Sequence, residues 1–192
     1  MKIKNSYYIM RHGQAVSNVK NITSNWPEKF YNPLTKKGSA KIKKNAKAFK
    51  KGDLDMIFCS PLLRTKQTAE IVAKKLKLKV KVDKRLRELD FGIFNGKPAK
   101  ELMGSFKSIQ ERIKKAPIKG ESYTDLLKRI WEFFATIEKK NKNKRILIVS
   151  HQAPLLLLLG KIKGHSIIDS MDGVVNVTGE KEIVTGQLIK IN

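Results

Sequence analysis

Short apolar runs recur along the chain and alternate with longer segments that carry apolar residues at helical spacing. A short apolar run bounded by turn residues is typical of a buried strand, whereas apolar positions three and four residues apart are typical of a helix. The pattern predicts strands at residues 7–10, 56–59, 80–82 and 145–149, with further strands at 174–177, 182–184 and 188–191. Residues 11–33 lack periodicity and are predicted to be largely a loop.

Capping residues mark where the predicted helices begin. Thr35 is placed to cap a helix over residues 36–49, and Ser60-Pro61 predicts a second helix that runs to residue 76. Ser122 and Asp125 have the spacing of a capping box, and the helix after them carries an apolar stripe that we assign to the core. Further helices are predicted at 99–115, with a break at Gly104, and at 155–159, buried under the sheet.

Alternation of strands and helices indicates an α/β fold, a three-layer sandwich with a central, mostly parallel sheet flanked by helices. The chain has 192 residues, of which 41% are hydrophobic, and we expect residues 1–192 to form a single domain. The longest apolar run, 155–159, is too short to cross a bilayer, and the first ten residues do not resemble a signal peptide. No membrane association is expected.

The net charge of +24 favours anionic partners, either small phosphorylated substrates or nucleic acid. Lysines occur on nearly every predicted helix rather than in one patch, which indicates a solvated surface more than a nucleic-acid interface. The single cysteine, Cys59, cannot form an internal disulfide. This fits a reducing compartment, and we expect a cytoplasmic protein.

Charged or titratable residues follow the predicted strands and occupy one glycine-rich loop. Arg11-His12 comes directly after the first strand, His151 follows residues 145–149, Arg64 lies in the first turn after Ser60-Pro61, and Glu88 precedes Gly92. Ligand sites in such sheets form beyond the carboxyl ends of the strands. Phosphoryl transfer needs a nucleophile, cations for the non-bridging oxygens and an acid for the leaving group. We assign these roles to His12, to Arg11, Arg64 and protonated His151, and to Glu88.

Six ordered segments resemble the histidine phosphatase superfamily, in the branch that includes cofactor-dependent phosphoglycerate mutase. They are Arg11-His12-Gly13-Gln14 with Asn18, Pro33-Leu34-Thr35-Lys36-Lys37-Gly38, Ser60-Pro61-Leu62-Leu63-Arg64 with Thr68-Ala69, Leu86-Arg87-Glu88-Leu89-Asp90-Phe91-Gly92 with Asn95-Gly96, Gly120-Glu121-Ser122 and Ser150-His151.

The resemblance implies a phosphoglycerate mutase-like fold and a phosphohistidine intermediate on His12. It also implies a phosphate pocket of Arg11, Arg64, His151 and Asn18, a proton donor and acceptor in Glu88, and neither a metal nor a cofactor. Gln152 stands where these proteins usually have glycine, and we count it among the substrate-binding residues. Residues 21–26 lack the arginine-and-glycine pattern that is common in this loop, so substrate choice stays open.

Three functions remain as hypotheses. The first is a metal-independent phosphatase that hydrolyses phosphomonoesters of small metabolites. The second is a phosphoglycerate mutase, and it is disfavoured because only about two dozen residues separate Gly96 from Gly120, which leaves little sequence to enclose an intermediate. The third is a non-catalytic polyanion-binding protein with a vestigial site. The sequence makes no prediction about the oligomeric state.

Overall fold

A computed structural model describes residues 3–171 and 183–192 of the chain. Its strands are β1 (Ser6–Arg11), β2 (Met56–Cys59), β3 (Val80–Val82), β4 (Arg145–Ser150) and β5 (Leu188–Lys190). The sheet order is β3-β2-β4-β1-β5, with parallel pairing throughout except for β5, which is antiparallel to β1. The predicted three-layer architecture with a mostly parallel sheet is confirmed.

Eight α-helices surround this sheet in the described part of the chain. They are α1 (Val16–Lys20), α2 (Lys36–Ala46), α3 (Leu63–Leu76), α4 (Ala99–Gly104), α5 (Ile109–Lys114), α6 (Tyr123–Lys140), α7 (Gln152–Lys163) and α8 (Ile167–Met171). Short 3₁₀ helices cover Lys84–Leu86 and Gly92–Phe94. Within these residues, every helix is too short or too polar to span a bilayer.

Successive strand residues face opposite layers, as the pleat of a strand requires. Ile146 and Ile148 of β4 pack with the aromatic stripe of α6 and the leucines of α7. Leu147 and Val149 pack on the other face with α2 and α3. The predicted buried helix at residues 155–159 is confirmed, since all five leucines there are buried.

Two capping predictions are confirmed by hydrogen bonds. The Thr35 hydroxyl accepts from the Gly38 N–H at 2.9 Å, and the Ser122 hydroxyl accepts from the Asp125 N–H while the Asp125 carboxylate accepts from the Ser122 N–H at 3.0 Å. The predicted break near Gly104 also occurs, because α4 ends there and α5 begins at Ile109.

Other boundaries were wrong. The helix after Ser60-Pro61 begins at Leu63. The Ser60 hydroxyl accepts from the Leu62 N–H at 3.3 Å, in the bend before the helix, and also contacts the His151 ring. Helix α2 ends at Ala46, three residues before the predicted end, although Phe49 is still buried. Ile183 and Val184 are not in a strand, and the other predicted C-terminal strand, at 174–177, lies outside the described residues.

Candidate active site

The register of β1 and β4 brings two histidines together at one edge of the sheet. Arg11 pairs with Ser150 as the last residues of these neighbouring parallel strands, so His12 and His151 leave the sheet side by side. The His12 N–H continues the ladder to the Ser150 carbonyl at 3.0 Å, and the two ring centroids are 5.1 Å apart. Both side chains are buried.

The hydrogen bonds of His12 define which ring nitrogen can act as a nucleophile. Nδ1 lies 2.7 Å from the Gly13 carbonyl oxygen, which only accepts, so Nδ1 carries the proton. Nε2 accepts from Arg64 Nε at 3.1 Å and therefore holds the lone pair. Burial, Arg64 and Arg11 together hold the pKa of His12 well below its usual range. The ring is thus neutral, with its lone pair on Nε2.

Arg64 of α3 connects the groups of the site. Its five N–H groups all have acceptors: His12 Nε2, the hydroxyl and carbonyl oxygens of Ser24, a Glu28 carboxylate oxygen and His151 Nδ1, at distances from 2.9 to 3.2 Å. Burial lowers the pKa of Arg64 to about 10, which leaves the guanidinium charged at neutral pH. Acceptors on both edges of the guanidinium group therefore hold its plane in one orientation.

His151 is neutral in this arrangement, which differs from the predicted protonated form. Because a guanidinium only donates, His151 Nδ1 accepts from Arg64, and Nε2 then donates to the Ser60 hydroxyl at 2.8 Å. Burial and the positive charge of Arg64 hold the pKa of His151 well below its usual range. The sequence places this ring correctly, but it does not show that Arg64 faces it.

Glu88 lies near His151 and is carried by the loop that follows the 3₁₀ helix Lys84–Leu86. One carboxylate oxygen accepts from the Leu89 N–H at 2.9 Å, and the other lies 4.0 Å from His151 Nδ1. Burial raises the pKa of Glu88, against the opposing influence of Arg64 and Arg11. A carboxyl group that keeps its proton to higher pH is suited to general acid catalysis.

A buried ion pair between Arg129 and Glu121 fixes the loop that carries Glu88. Arg129 of α6 donates to the carbonyl oxygens of Arg85, Arg87 and Glu88 at 2.7 to 2.9 Å and pairs with the Glu121 carboxylate. Glu121 in turn accepts from the Asp90 N–H at 2.9 Å. The sequence motif contains Glu121, but nothing in the spacing of α6 identifies Arg129 as its partner.

The cavity between these groups measures 250 Å³. Arg11 lines it from the end of β1, and its Nη1 donates to the Ile183 carbonyl at 2.8 Å. Asn18 lines it from α1; the Asn18 side-chain oxygen accepts from the Ala15 N–H, which leaves its NH₂ group to donate elsewhere. The remaining lining residues are His12, Ser17, Ile22, Thr23, Ser24, Arg64, Glu88, Phe91, Ala99, Leu102, Met103 and Arg112.

Most of the predicted site residues converge here. Arg11, His12, Asn18, Arg64 and Glu88 line one cavity, and His151 lies behind Arg64. Gln152 is the first residue of α7 and does not line the cavity that the described residues form. Sequence reasoning missed Ser24 and Glu28, which lie in the predicted loop at residues 11–33. It also missed Arg112, which lies in the predicted helix at residues 99–115 but in none of the motifs. Among residues 3–171 and 183–192, no cluster of three or more His, Cys, Asp or Glu side chains could hold a metal ion.

The family model of the histidine phosphatase superfamily (branch 1) matches residues 7–175. The chain belongs to this superfamily. Among the curated relatives, phosphoserine phosphatase 1 of Hydrogenobacter thermophilus is 30% identical over 64% of this chain and 60% of its own length. This chain therefore spans less than two thirds of that relative.

One further relative agrees with the family, and one solved structure agrees with the fold. A probable phosphoglycerate mutase GpmB of Proteus mirabilis is 30% identical over 82% of this chain and 74% of its own. The crystal structure of an alpha-ribazole phosphatase from Shigella flexneri superposes with a TM-score of 0.79 at 23% identity, over 95% of this chain and 88% of that one. The predicted family and the phosphoglycerate mutase-like fold are confirmed, and the named phosphatase relatives support an enzyme of this type.

Proposed function

We propose that the protein hydrolyses phosphomonoesters of small metabolites through a phosphohistidine intermediate on His12, without a metal ion. The observation that carries this proposal is the neutral His12 ring, whose Nε2 lone pair is held beside Arg11 and Arg64 in the cavity. The two guanidinium groups supply the positive charge that a phosphoryl dianion requires. A cavity of 250 Å³ suits a small metabolite.

Substrate binding changes the partners of Arg64. Phosphoryl oxygens replace His12 Nε2 and His151 Nδ1 as acceptors, while Ser24 and Glu28 keep the guanidinium in place. This exchange releases the Nε2 lone pair for attack. The dianion also opposes the positive charge that lowers the pKa of His151, so that His151 can take up a proton and donate to an oxygen.

The reaction has two steps. In the first, His12 Nε2 forms a bond to phosphorus, the bond from phosphorus to the ester oxygen breaks, and Glu88 gives its proton to the departing alkoxide. In the second, the Glu88 carboxylate takes a proton from water, the hydroxide attacks phosphorus, and the bond to Nε2 breaks. Inorganic phosphate leaves, and both side chains return to their starting protonation states.

Rapid quenching during turnover of a ³²P-labelled phosphomonoester tests this scheme. We expect an acid-labile, base-stable phosphate on the wild-type chain, no adduct on His12→Ala, and turnover that is unaffected by EDTA. His165→Ala is the matched control, because His165 is exposed on the segment between α7 and α8. Full turnover by His12→Ala would refute the proposed nucleophile, and loss of turnover with EDTA would refute the metal-free scheme.

The same preparation distinguishes hydrolysis from phosphoglycerate mutase activity. A phosphatase releases phosphate from phosphoglycerates, whereas a mutase interconverts them and is stimulated by bisphosphoglycerate. We expect phosphate release without interconversion.

We also propose that the protein acts in the cytoplasm as a single catalytic domain. The buried thiol of Cys59, its only cysteine, supports a reducing location.

A further inference from the structure

One carboxylate lies beside a phosphate-binding arginine and takes no part in the proposed bond-breaking steps. Glu28 accepts from Arg64 Nη1 through Oε1 at 3.1 Å, and from the Leu63 N–H through Oε2 at 2.9 Å. The side chains of Arg64 and Glu28 are 3% and 16% exposed, so bulk water screens this ion pair little. A negative charge is therefore fixed next to a cation that is to bind a phosphoryl dianion.

The orientation of Arg64 does not by itself account for this carboxylate. The Ser24 hydroxyl accepts from the same Nη1 at 3.2 Å, and the Ser24 carbonyl oxygen accepts from Nη2 at 2.9 Å. Ser24 is buried and neutral, so these two contacts orient the guanidinium without changing the charge around it. What Glu28 adds to them is a full negative charge.

The contact with Leu63 keeps Glu28 in place when the other partners of Arg64 change. Leu63 is the first residue of α3, so its N–H has no acceptor within the helix, and the start of a helix stabilises a carboxylate. In the proposed mechanism, phosphoryl oxygens replace the ring nitrogens of His12 and His151 as acceptors from Arg64. The contacts of Glu28 persist, and the carboxylate and the phosphoryl group then share one guanidinium.

Two anions that share one cation repel each other, and the repulsion is large where water is excluded. Inorganic phosphate is the ligand most affected, because it has no ester group that could add contacts elsewhere in the cavity. Its binding depends on the charges that surround its oxygens, and Arg64 is one of them. The carboxylate therefore opposes the binding of the reaction product.

We infer that the Glu28 carboxylate weakens the binding of inorganic phosphate to Arg64 and thereby speeds release of the product. This inference rests on the proposed phosphatase activity and concerns the last step of its cycle. Glu28 is a positioning residue in this scheme, because it acts through Arg64 and does not contact the reacting atoms. Without this charge, the site would stay occupied by phosphate for longer after each turnover.

The inhibition constant Ki of inorganic phosphate tests the inference, with p-nitrophenyl phosphate as the substrate. For Glu28→Gln we expect Ki to fall by about tenfold or more, because a unit charge is removed from a poorly screened site. KM should fall as well, and kcat should not rise. The burst of p-nitrophenolate before the steady state should be larger than in the wild type, since a step after ester cleavage becomes slower.

Three further variants separate charge from orientation. Glu28→Asp keeps the charge on a shorter side chain and should return Ki toward the wild-type value. Ser24→Ala removes a neutral contact from Arg64 Nη1, and Ki should rise, because the guanidinium loses orientation but keeps its counter-charge. Glu132→Gln changes the net charge equally at an exposed position and should leave Ki within about twofold of the wild type.

The direction of the change in Ki decides the role of Glu28. If Glu28→Gln is folded by circular dichroism and its Ki equals or exceeds that of the wild type, the inference is wrong and the proposed phosphatase stands. Should Glu28→Gln not fold, Glu28→Ala also removes the charge and is judged by the same criterion. Failure of the wild type to hydrolyse p-nitrophenyl phosphate and phosphomonoesters of small metabolites would instead overturn the proposed function, and the inference with it.

Discussion

Arg64 shows how a single side chain organises this site. Its position on the second residue of α3 lets it face both histidines, and Glu28 and Ser24 hold it from the opposite side. A lysine ammonium is a point charge with three donors and cannot reproduce this planar arrangement. The function of Arg64 therefore depends on its shape as well as on its charge.

Arg64→Lys should lower kcat/KM for p-nitrophenyl phosphate by about a hundredfold or more, the loss typical when an oriented donor to a reacting oxyanion is removed. Steady-state kinetics on that substrate measure the effect. Arg145→Lys provides the control, because Arg145 forms an exposed ion pair with Asp55 far along the strand from the site. If Arg64→Lys stays within a few-fold of wild type, the fork is not required.

Glu88 gives a prediction about leaving groups and pH. An alkyl phosphate needs a proton on its departing oxygen, whereas p-nitrophenolate leaves without one. Glu88→Gln should therefore lower kcat/KM for an alkyl phosphate by about 10² to 10⁴, with little change for the aryl ester. Similar losses on both esters would contradict the acid role. Glu132→Gln serves as an exposed control.

The pH profile of the wild type should show the same group. Burial raises the pKa of Glu88. In the proposed mechanism, the protonated form is the active one in the first step. For alkyl esters kcat/KM should thus fall as pH rises through this raised pKa, and the aryl ester should lack that limb. A limb of equal steepness for both esters would assign the titration to another group.

Elements rather than single residues determine where Glu88 lies. Arg129 projects from α6 and gathers three backbone carbonyls of residues 85–88, while Glu121 neutralises it. The position of the loop that carries Glu88 is therefore fixed by α6, a helix that follows it in the sequence. Under the proposed mechanism, this interaction links the packing of α6 to the protonation of the leaving group.

Arg129→Met should remove the contact by which α6 positions Glu88. We expect kcat/KM for alkyl phosphates to fall far more than for the aryl ester. The free energy of unfolding should drop by about 2 kcal/mol, because Glu121 loses its closer cationic partner while it keeps Arg87, at 3.7 Å, and the Asp90 N–H. Denaturant unfolding and the alkyl-to-aryl activity ratio are the measurements. In the double variant Arg129→Met/Glu121→Gln, the free energy of unfolding should return toward the wild-type value, but the alkyl-to-aryl activity ratio should stay low. Recovery of both quantities would show that Arg129 acts on stability alone.

The sequence predicts elements well where one local signal decides them. Strand β2 has the predicted bounds, and the Ser122 capping box forms as expected. Ser60 shows the limit: its hydroxyl accepts from the Leu62 N–H, as the local sequence favours, but the same hydroxyl also contacts His151, which the local sequence does not predict. The candidate site follows the same division, because His12 and Glu88 belong to local motifs, whereas Arg129 contacts the Glu88 loop only through the packing of α6.

The whole molecule carries a net charge of +24 over a surface in which lysines are spread among many helices. Such a field attracts phosphorylated metabolites and nucleic acid alike, so charge alone does not distinguish a phosphatase from a polyanion-binding protein. Salt does distinguish them. Surface lysines are screened at physiological ionic strength, whereas Arg11 and Arg64 act at contact distance inside a cavity.

We therefore expect a labelled single-stranded RNA to bind at low salt and to dissociate as ionic strength approaches about 0.15 M, while turnover of p-nitrophenyl phosphate persists. Fluorescence anisotropy and phosphate release on the same samples measure both. The triple variant Lys43→Glu/Lys44→Glu/Lys47→Glu changes three exposed residues around α2 and should weaken the low-salt binding only in part, because the other helices keep their lysines, while turnover is unchanged. If the protein binds RNA at moderate salt and has no phosphatase activity, the non-catalytic hypothesis is favoured instead. Lysines that are dispersed over the surface are screened at that ionic strength, so such binding would require positive charges that converge on one face.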